Sequence, residues 1–274
     1  MASKQQIRQF KKTVWDFYRE HGRHDLPWRK NINPYRVLVC EIMMQQTQVS
    51  RGEIKYREFL KKFPNFRALA QASNADVLAA WQGLGYNRRA LYLKKTAEVV
   101  IKEHKGKLPD DTVSLMNLPG IGAYTAGAVC AFAFNKPVVF IDTNIRRVYI
   151  HHFFNDKEGV ADTELVPLIE MTVDQDNACE WYSALMDYGS MLGLKEENAN
   201  KRSAHYVKQS KFEGSLRQVR GKILKVLTSG QRHATWKELR DVLGETRERV
   251  EAAVAGLEKD GMIIVKKNII SIAK

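Results

Sequence analysis

The stretch Leu115–Phe134, LMNLPGIGAYTAGAVCAFAF, predicts a helix end, a tight turn at LPGIG and a second helix rich in alanine and glycine. Gly120 and Gly122 can take backbone angles closed to other residues, so successive N–H groups can converge there. The turn also opens a helix, whose N-terminal dipole favours an anion. The amides around Gly120, Gly122, Ala123 and Thr125 thus make a candidate phosphate cradle. The small residues Ala126, Gly127, Ala128, Ala131 and Ala133 let the second helix pack closely on its neighbours. Taken alone, a G-x-G turn between helices reads equally well as a tight helical corner.

On either side of this stretch apolar residues recur at helical spacing, as at Ile7, Phe10, Val14 and Phe17 and again at Leu91, Leu93, Ala97 and Val100. No alternating strand pattern precedes the C-terminus, so the body is expected to be all-α. From Lys195 to Gly214 the chain is polar and charged, which predicts a loop or linker. Leu216–Leu227 then reads as an amphipathic helix, Thr235 caps a short helix to Leu243, and Thr246 caps a longer one to about Lys259. Gly261 turns the chain into MIIVKKNIISIA, two β-rich runs around Lys266, Lys267 and Asn268. Helices followed by a hairpin give the order of a small winged-helix (α+β) domain at 213–274, a unit that binds DNA or serves in packing.

With 44 Lys+Arg against 31 Asp+Glu, the formal net charge of +13 favours a polyanionic partner, nucleic acid ahead of a membrane surface. No run of about 18 uncharged apolar residues exists, and MASKQQIRQFKK lacks the apolar run of a secretory signal. A soluble, intracellular protein is expected, cytoplasmic and nucleoid-associated, with no membrane partner. Cys40, Cys130 and Cys179 lie far apart without CxxC spacing, so they read as core thiols rather than a disulfide framework or a zinc site.

Two carboxylates stand in apolar sequence. Asp142, in VVFIDTNI, would need a partner if buried, or its pKa would rise. Asp142 or Thr143 can also cap a helix from Ile145, and a cap would aim the carboxylate. Glu41, in YRVLVCEIMMQQTQV, is flanked by Leu38, Cys40, Ile42 and Met43. It reads either as an acid kept protonated by its surroundings or as a glutamate on the exposed stripe of an amphipathic helix.

LPGIGAYTAGAV followed by IDTNIRRV resembles the helix-hairpin-helix and Gly/Pro-Asp loop of the DNA glycosylase superfamily that includes endonuclease III and the MutY-type adenine glycosylases. EIMMQQTQV is similar to the EVMLQQTQV-like segment of the MutY type. The resemblance runs from about Trp28 to Gly189, taking in FPNFRALAQASNADVLAAWQGLGY and ALMDYGS. It implies a two-lobed helix-hairpin-helix glycosylase body over 1–212, with a six-helix lobe at about 29–137 and a second lobe from 1–28 plus 138–212. It further implies that the hairpin amides bind a phosphate and that the carbonyls of Met116, Leu118 and Ile121 hold a monovalent cation, sodium or potassium.

Cleaving a glycosidic bond to a neutral purine requires an acid for the leaving base and a carboxylate for the oxocarbenium ion. The resemblance gives these roles to Glu41 and Asp142. Tyr124 stands where bifunctional relatives carry a catalytic lysine, so no imine can form and the reaction should stop at an abasic site. Asn144 matches an asparagine of the family's D-G-N, with Thr143 replacing the glycine. An extruded base leaves a hole that planar or amide side chains can fill. Gln45, Gln46 and Thr47 follow Glu41, and the glycine-rich turn WQGLGYNRRA presents Gly85 and Tyr86, with Arg88 and Arg89 behind for phosphates. Asn87 replaces the family's second aromatic, and Arg88 and Arg89 also fit an ordinary solvated face.

Relatives usually follow ALMDYGS with four cysteines for an iron-sulfur cluster. Here the same frame, counted from Leu192, gives Ala199, Arg202 and Lys208, so the chain resembles a clusterless member with no cofactor beyond the hairpin cation. A basic loop with Lys195, Lys201, Arg202, Lys208 and Lys211 is expected to take over the cluster loop's DNA contact. The MutY type also reads 8-oxoguanine with a Nudix-like domain that this tail does not resemble. The expected activity is monofunctional removal of adenine opposite 8-oxoguanine or guanine from double-stranded DNA, by a monomer. The alternatives are thymine or uracil opposite guanine, or a non-catalytic lesion sensor.

Overall fold

The computed structural model describes residues 2–195, 198–208, 210–229 and 232–274. Its helices are α1 (Lys4–His21), α2 (Pro27–Lys30), α3 (Pro34–Met44), α4 (Val49–Lys62), α5 (Phe66–Gln71), α6 (Asn74–Ala80), α7 (Arg88–Glu103) and α8 (Thr112–Met116). They continue with α9 (Ala123–Phe134), α10 (Thr143–Phe153), α11 (Asp162–Thr172), α12 (Ala178–Lys195), α13 (Leu216–Thr228), α14 (Trp236–Leu243) and α15 (Arg247–Lys259). Three short strands, β1 (His233–Thr235), β2 (Ile263–Lys266) and β3 (Ile269–Ile272), all follow α13. No helix among the described residues is long and apolar enough to cross a membrane.

The chain forms two compact units, one from Met1–Glu41, Pro109–Asn117 and Ile121–Lys208, the other from Ile42–Leu108, Leu118–Gly120 and Gln209–Lys274. These limits differ from those expected. Helix α9 joins the first unit, because Gly127 lets Phe140 approach its bare backbone; a Cβ on Gly127 would lie 2.6 Å from that of Phe140. Residues 213–274 belong to the second unit, where α13 packs on α6, rather than standing apart.

In the first unit the core gathers Phe10, Val14, Phe140, Tyr149, Trp181 and Tyr182, with α10 and α12 as its main pair. Asp187 on α12 ties the N-terminal segment to this core. Its carboxylate accepts from the Arg23 amide at 2.8 Å and from both Arg29 guanidinium nitrogens at 2.7 and 3.0 Å. Burial alone would raise its pKa, but Arg29 and Arg23 hold it below the ordinary carboxylate value. The expected loop at 195–214 is partly ordered. Residues Ala199–Arg202 make a 3-10 turn, and Arg202 donates to the Phe154 carbonyl at 2.6 Å, so that side chain faces the protein rather than a ligand. Of the basic residues expected in this loop, the Lys195 side chain lies outside the described residues.

In the second unit Tyr56, Phe59, Leu69, Leu78, Trp81 and Leu93 form the helical core, and the C-terminal segment adds the expected winged-helix order with one extra strand. β3 lies between β1 and β2, antiparallel to both. β1 is only three residues long, too short for a visible alternation, and was not expected. Cys40 and Cys130 are buried and Cys179 is half-buried, all as free thiols.

Replacing Asp187 by alanine should lower stability by about 3 kcal/mol, since it leaves two guanidinium groups at a buried site without their anion. Urea denaturation of the variant checks this; a loss under about 1 kcal/mol would mean that solvent already screens the group.

Candidate active site

Glu41 sits on α3 between buried residues, with Val39, Cys40, Ile42 and Met43 all below a tenth exposed. Burial pushes its pKa up to about 7, so it is not a solvated surface glutamate. Tyr124, in the first turn of α9, donates its hydroxyl to Glu41 Oε2 at 3.0 Å. That bond opposes the rise, while the charge of Asp142 adds to it. Burial, followed by the two carboxylates, pushes the Tyr124 phenol well above its ordinary value, which keeps it a donor.

Asp142 is the N-cap of α10. Its Oδ1 accepts from the Ile145 amide at 2.7 Å and its Oδ2 from Asn144 Nδ2 at 3.2 Å. Burial raises its pKa, and the amide donors, Arg146 and the Asn144 side chain oppose that rise. The helix N-terminus adds a favourable dipole for the anion. Capping therefore fixes the carboxylate, as its position in the sequence suggested, although α10 starts at Thr143 rather than Ile145.

Four residues behind Asp142 were not singled out from sequence. Arg147 Nη1 donates to Asn144 Oδ1 at 3.1 Å and to the Gly189 carbonyl at 2.6 Å, and its Nε donates to Asn198 Oδ1 at 3.1 Å. Asn200 Nδ2 donates to the Thr143 carbonyl at 2.9 Å. A Cβ on Gly189 would lie 2.5 Å from the Asn144 carbonyl oxygen, so glycine there lets α10 begin against α12. The Asn144–Arg147 spacing, i to i+3 on one helix, is the signal that could have found Arg147.

At the hairpin only Gly120 needs glycine's freedom, with φ +76 and a would-be Cβ 2.6 Å from that of Tyr92. Gly122, at φ −96, has an angle open to any residue, which corrects the expectation for it. It caps α9 with backbone alone, and a Cβ there would meet nothing within 4 Å. The amides that open α9, at Ala123, Tyr124 and Thr125, have no intrahelical acceptor. Thr125 is buried as a whole residue, at odds with the DNA contact expected of it.

Gln46 and Tyr86 take positive φ values of 55 and 45, and Tyr86 is 44% exposed. Arg89 departs from the expected phosphate contact. It donates to the carbonyls of Ile42 at 2.7 Å, Gln45 at 2.6 Å, Leu84 at 3.2 Å and Gly85 at 3.1 Å. Two irregular turns leave these carbonyls without ladder partners, and the five-donor fork satisfies them together. Burial lowers the Arg89 pKa to about 10. Arg88 stays half-exposed, donating to the Tyr92 hydroxyl at 2.6 Å.

Residues 39–166 match the family model of the HhH-GPD superfamily of base excision DNA repair proteins. The chain is 34% identical over 261 residues to the adenine DNA glycosylase of Mycolicibacterium smegmatis, covering 89% of each. It is 39% identical over 140 residues to the thymine/uracil-DNA glycosylase of Pyrobaculum aerophilum, 51% of this chain and 61% of that one. Among solved structures, a thermostable thymine-DNA glycosylase superposes with a TM-score of 0.62 at 26% identity, over 72% of this chain and 92% of the other.

Because folded Glu41 binds its proton more tightly than a free glutamate with its ordinary pKa of 4.5, its contribution to stability is full below that pH and is lost as pH rises to about 7. Glu41→Gln should therefore gain melting temperature over wild type between those limits and keep the gain above them. Tyr124→Phe removes a bond that lowers the Glu41 pKa, so the carboxyl band should titrate at higher pH in difference infrared spectra. An unchanged midpoint would mean that the bond does not bias the proton.

Proposed function

The chain belongs to the HhH-GPD superfamily of base excision DNA repair proteins, and from that premise we propose that Glu41 and Asp142 drive removal of a mispaired base without an amine nucleophile. Its activity is that of a DNA N-glycosylase, and DNA is its partner. The observation that carries the residue assignment is the Tyr124–Glu41 hydrogen bond, on a carboxyl whose proton leaves near pH 7 beside the Asp142 carboxylate. Environments that push two carboxyl groups apart in proton affinity are how one site supplies an acid and an anion together.

In this mechanism Oε1 of Glu41 gives its proton to a ring nitrogen of the extruded base. The C1′–N bond then breaks with its electron pair passing to the base, and Asp142 stabilises the cation left on the sugar. Water adds at C1′ and loses a proton, leaving an abasic site. Asn144 and Arg147 hold Asp142 in place, and Tyr124 orients Glu41. Tyr124 has no amine to form an imine, so no strand cleavage follows. The amides at Gly120, Gly122 and Ala123 bind a phosphate, and Gln45, Gln46, Thr47 and Tyr86 fill the gap in the duplex.

In this reading the neutral carbonyl oxygens of Met116, Leu118 and Ile121 would hold a hard cation, sodium or potassium, that steadies the hairpin. An iron-sulfur cluster does not fit this chain. Its three cysteines sit on separate elements, and Ala199 and Arg202 stand in a turn held by hydrogen bonds where cluster ligands would be needed. That turn, with Asn198 and Asn200, steadies the start of α10 in the cluster's place.

The substrate in this reading is adenine opposite 8-oxoguanine or guanine in duplex DNA, processed by a monomer at the nucleoid. Similarity to the adenine DNA glycosylase over 89% of the chain supports it. Removal of thymine or uracil opposite guanine is a second reading, favoured by Asn87 in the GLGYN turn and by likeness to glycosylases named for those bases.

Single-turnover assays on duplexes carrying each mismatch, followed by hot alkali, name the base; no cleavage on any duplex would overturn the enzyme reading. Glu41→Gln and Asp142→Asn should each lower base release at least about 100-fold, the scale of general acid catalysis, with duplex binding retained. Release in the wild type should fall as pH rises through about 7, where Glu41 loses its proton. Borohydride should trap no covalent complex; a trapped complex would mean that some other amine attacks the sugar.

A further inference from the structure

Thr96 lies wholly buried in the middle of α7, and no step of the reaction above uses it. A buried hydroxyl needs a hydrogen-bond partner, and a threonine inside a helix ordinarily finds one in the carbonyl four residues back, here that of Tyr92. Instead its Oγ1 donates across to another segment, to the Pro119 carbonyl in the hairpin turn, at 2.7 Å. Threonine is also a poorer helix former than alanine, so helix propensity gives no reason for it in α7. What the hydroxyl does is tie the turn.

That tie fixes more than one carbonyl. A trans peptide is planar, with its C=O and N–H on opposite sides, so the Pro119 carbonyl and the Gly120 N–H point in opposite directions. Drawing the carbonyl in to buried Thr96 therefore turns the Gly120 N–H outward. Gly120 is exposed, and no acceptor among the described residues takes its N–H. A proline followed by a residue at φ +76 is the pattern of a type II turn. The commoner type I turn rotates this same peptide by roughly half a turn, which would send the N–H inward and the carbonyl to solvent. Glycine has access to both forms. Two residues one helical turn apart on α7 select the first. Thr96 accepts only an inward carbonyl as its partner, and the Tyr92 side chain closes the space behind Gly120, where a Cβ would lie 2.6 Å from its own.

We propose that Thr96 is a positioning residue for phosphate binding: its hydroxyl holds the Pro119–Gly120 peptide in the orientation that offers the Gly120 N–H to a DNA phosphate. Being buried, Thr96 touches no DNA itself. The inference rests on the phosphate role given to the Gly120 amide above, and its test reads binding rather than base release.

The full chain is titrated with a labelled duplex holding a tetrahydrofuran abasic residue, and affinity is followed by anisotropy over a range of salt. Thr96→Val keeps the shape of the side chain but loses the hydroxyl, and Thr96→Ala loses it without crowding the turn. Both should bind about tenfold more weakly, the scale of a hydrogen bond to a charged group, and Thr96→Ser should recover the wild-type affinity. The slope of log affinity against log salt counts phosphates neutralised by lysine and arginine, and an amide carries no net charge, so the slope should not change. Neutral methylphosphonate linkages placed one at a time around the abasic residue should reveal one position where the wild type and Thr96→Ser lose most. There Thr96→Val and Thr96→Ala should lose little further.

Wild-type affinity in Thr96→Val and Thr96→Ala, or no recovery in Thr96→Ser, would overturn the assignment. So would a smaller salt slope, because a displaced cation rather than a turned amide would then explain the loss. Base release by an enzyme whose Thr96 variants all bind as wild type would sink this inference alone. The expected binding pattern in a protein that excises no base would overturn the glycosylase reading alone.

Discussion

Two carboxyl groups withdrawn from water within one unit cannot both be charged at low cost, and the arrangement around them follows from that constraint. Asp142 receives what an anion needs: an amide from the first turn of α10, the Asn144 amide and the field of Arg146. Glu41 receives apolar neighbours and a single hydroxyl, so it is the member that keeps its proton to about pH 7. The pair is thus asymmetric before any substrate arrives. Most of the surrounding scaffold serves the anion. Gly189, Arg147, Asn198 and Asn200 all act on the first turn of α10, whose orientation decides where the Asp142 charge points.

Local chemistry was legible in the sequence wherever it was written in neighbouring residues. The helical periodicity, the caps at Thr235 and Asp142, the hairpin turn at Gly120 and the apolar setting of Glu41 each depend on a few consecutive positions, and the structure has them. What depends on distant partners was not legible. Arg89 reads as a surface cation beside Arg88, yet carbonyls from two separate turns capture it. Gly122 looks like Gly120 in the string, but only the latter faces Tyr92. The division into units moved for the same reason, since the packing of α9 and α13 is set by residues far along the chain.

The segment after α12 is held in place by ordinary polar contacts. Asn198 and Asn200 anchor on Arg147 and Thr143, Arg202 on the Phe154 carbonyl, and Ser203 bridges Val160. Each bond is worth only about 1 kcal/mol net, but together they fix the loop against the start of α10. A polar sequence that reads as linker is therefore part of the frame of Asp142.

Tyr124 shows why the missing lysine has two consequences rather than one. An ammonium at this position, within hydrogen-bond reach of Glu41, would favour the carboxylate and draw its pKa down, away from neutrality. The phenol instead donates a neutral hydrogen bond to Oε2, and its own pKa is pushed up by burial and the two carboxylates, so it stays uncharged beside them. In the mechanism proposed above, the phenol offers no amine nucleophile and leaves the proton on Glu41 in place. Under that proposal, a reaction without strand cleavage and a general acid poised near pH 7 follow from the same side chain, one from covalent chemistry and the other from electrostatics.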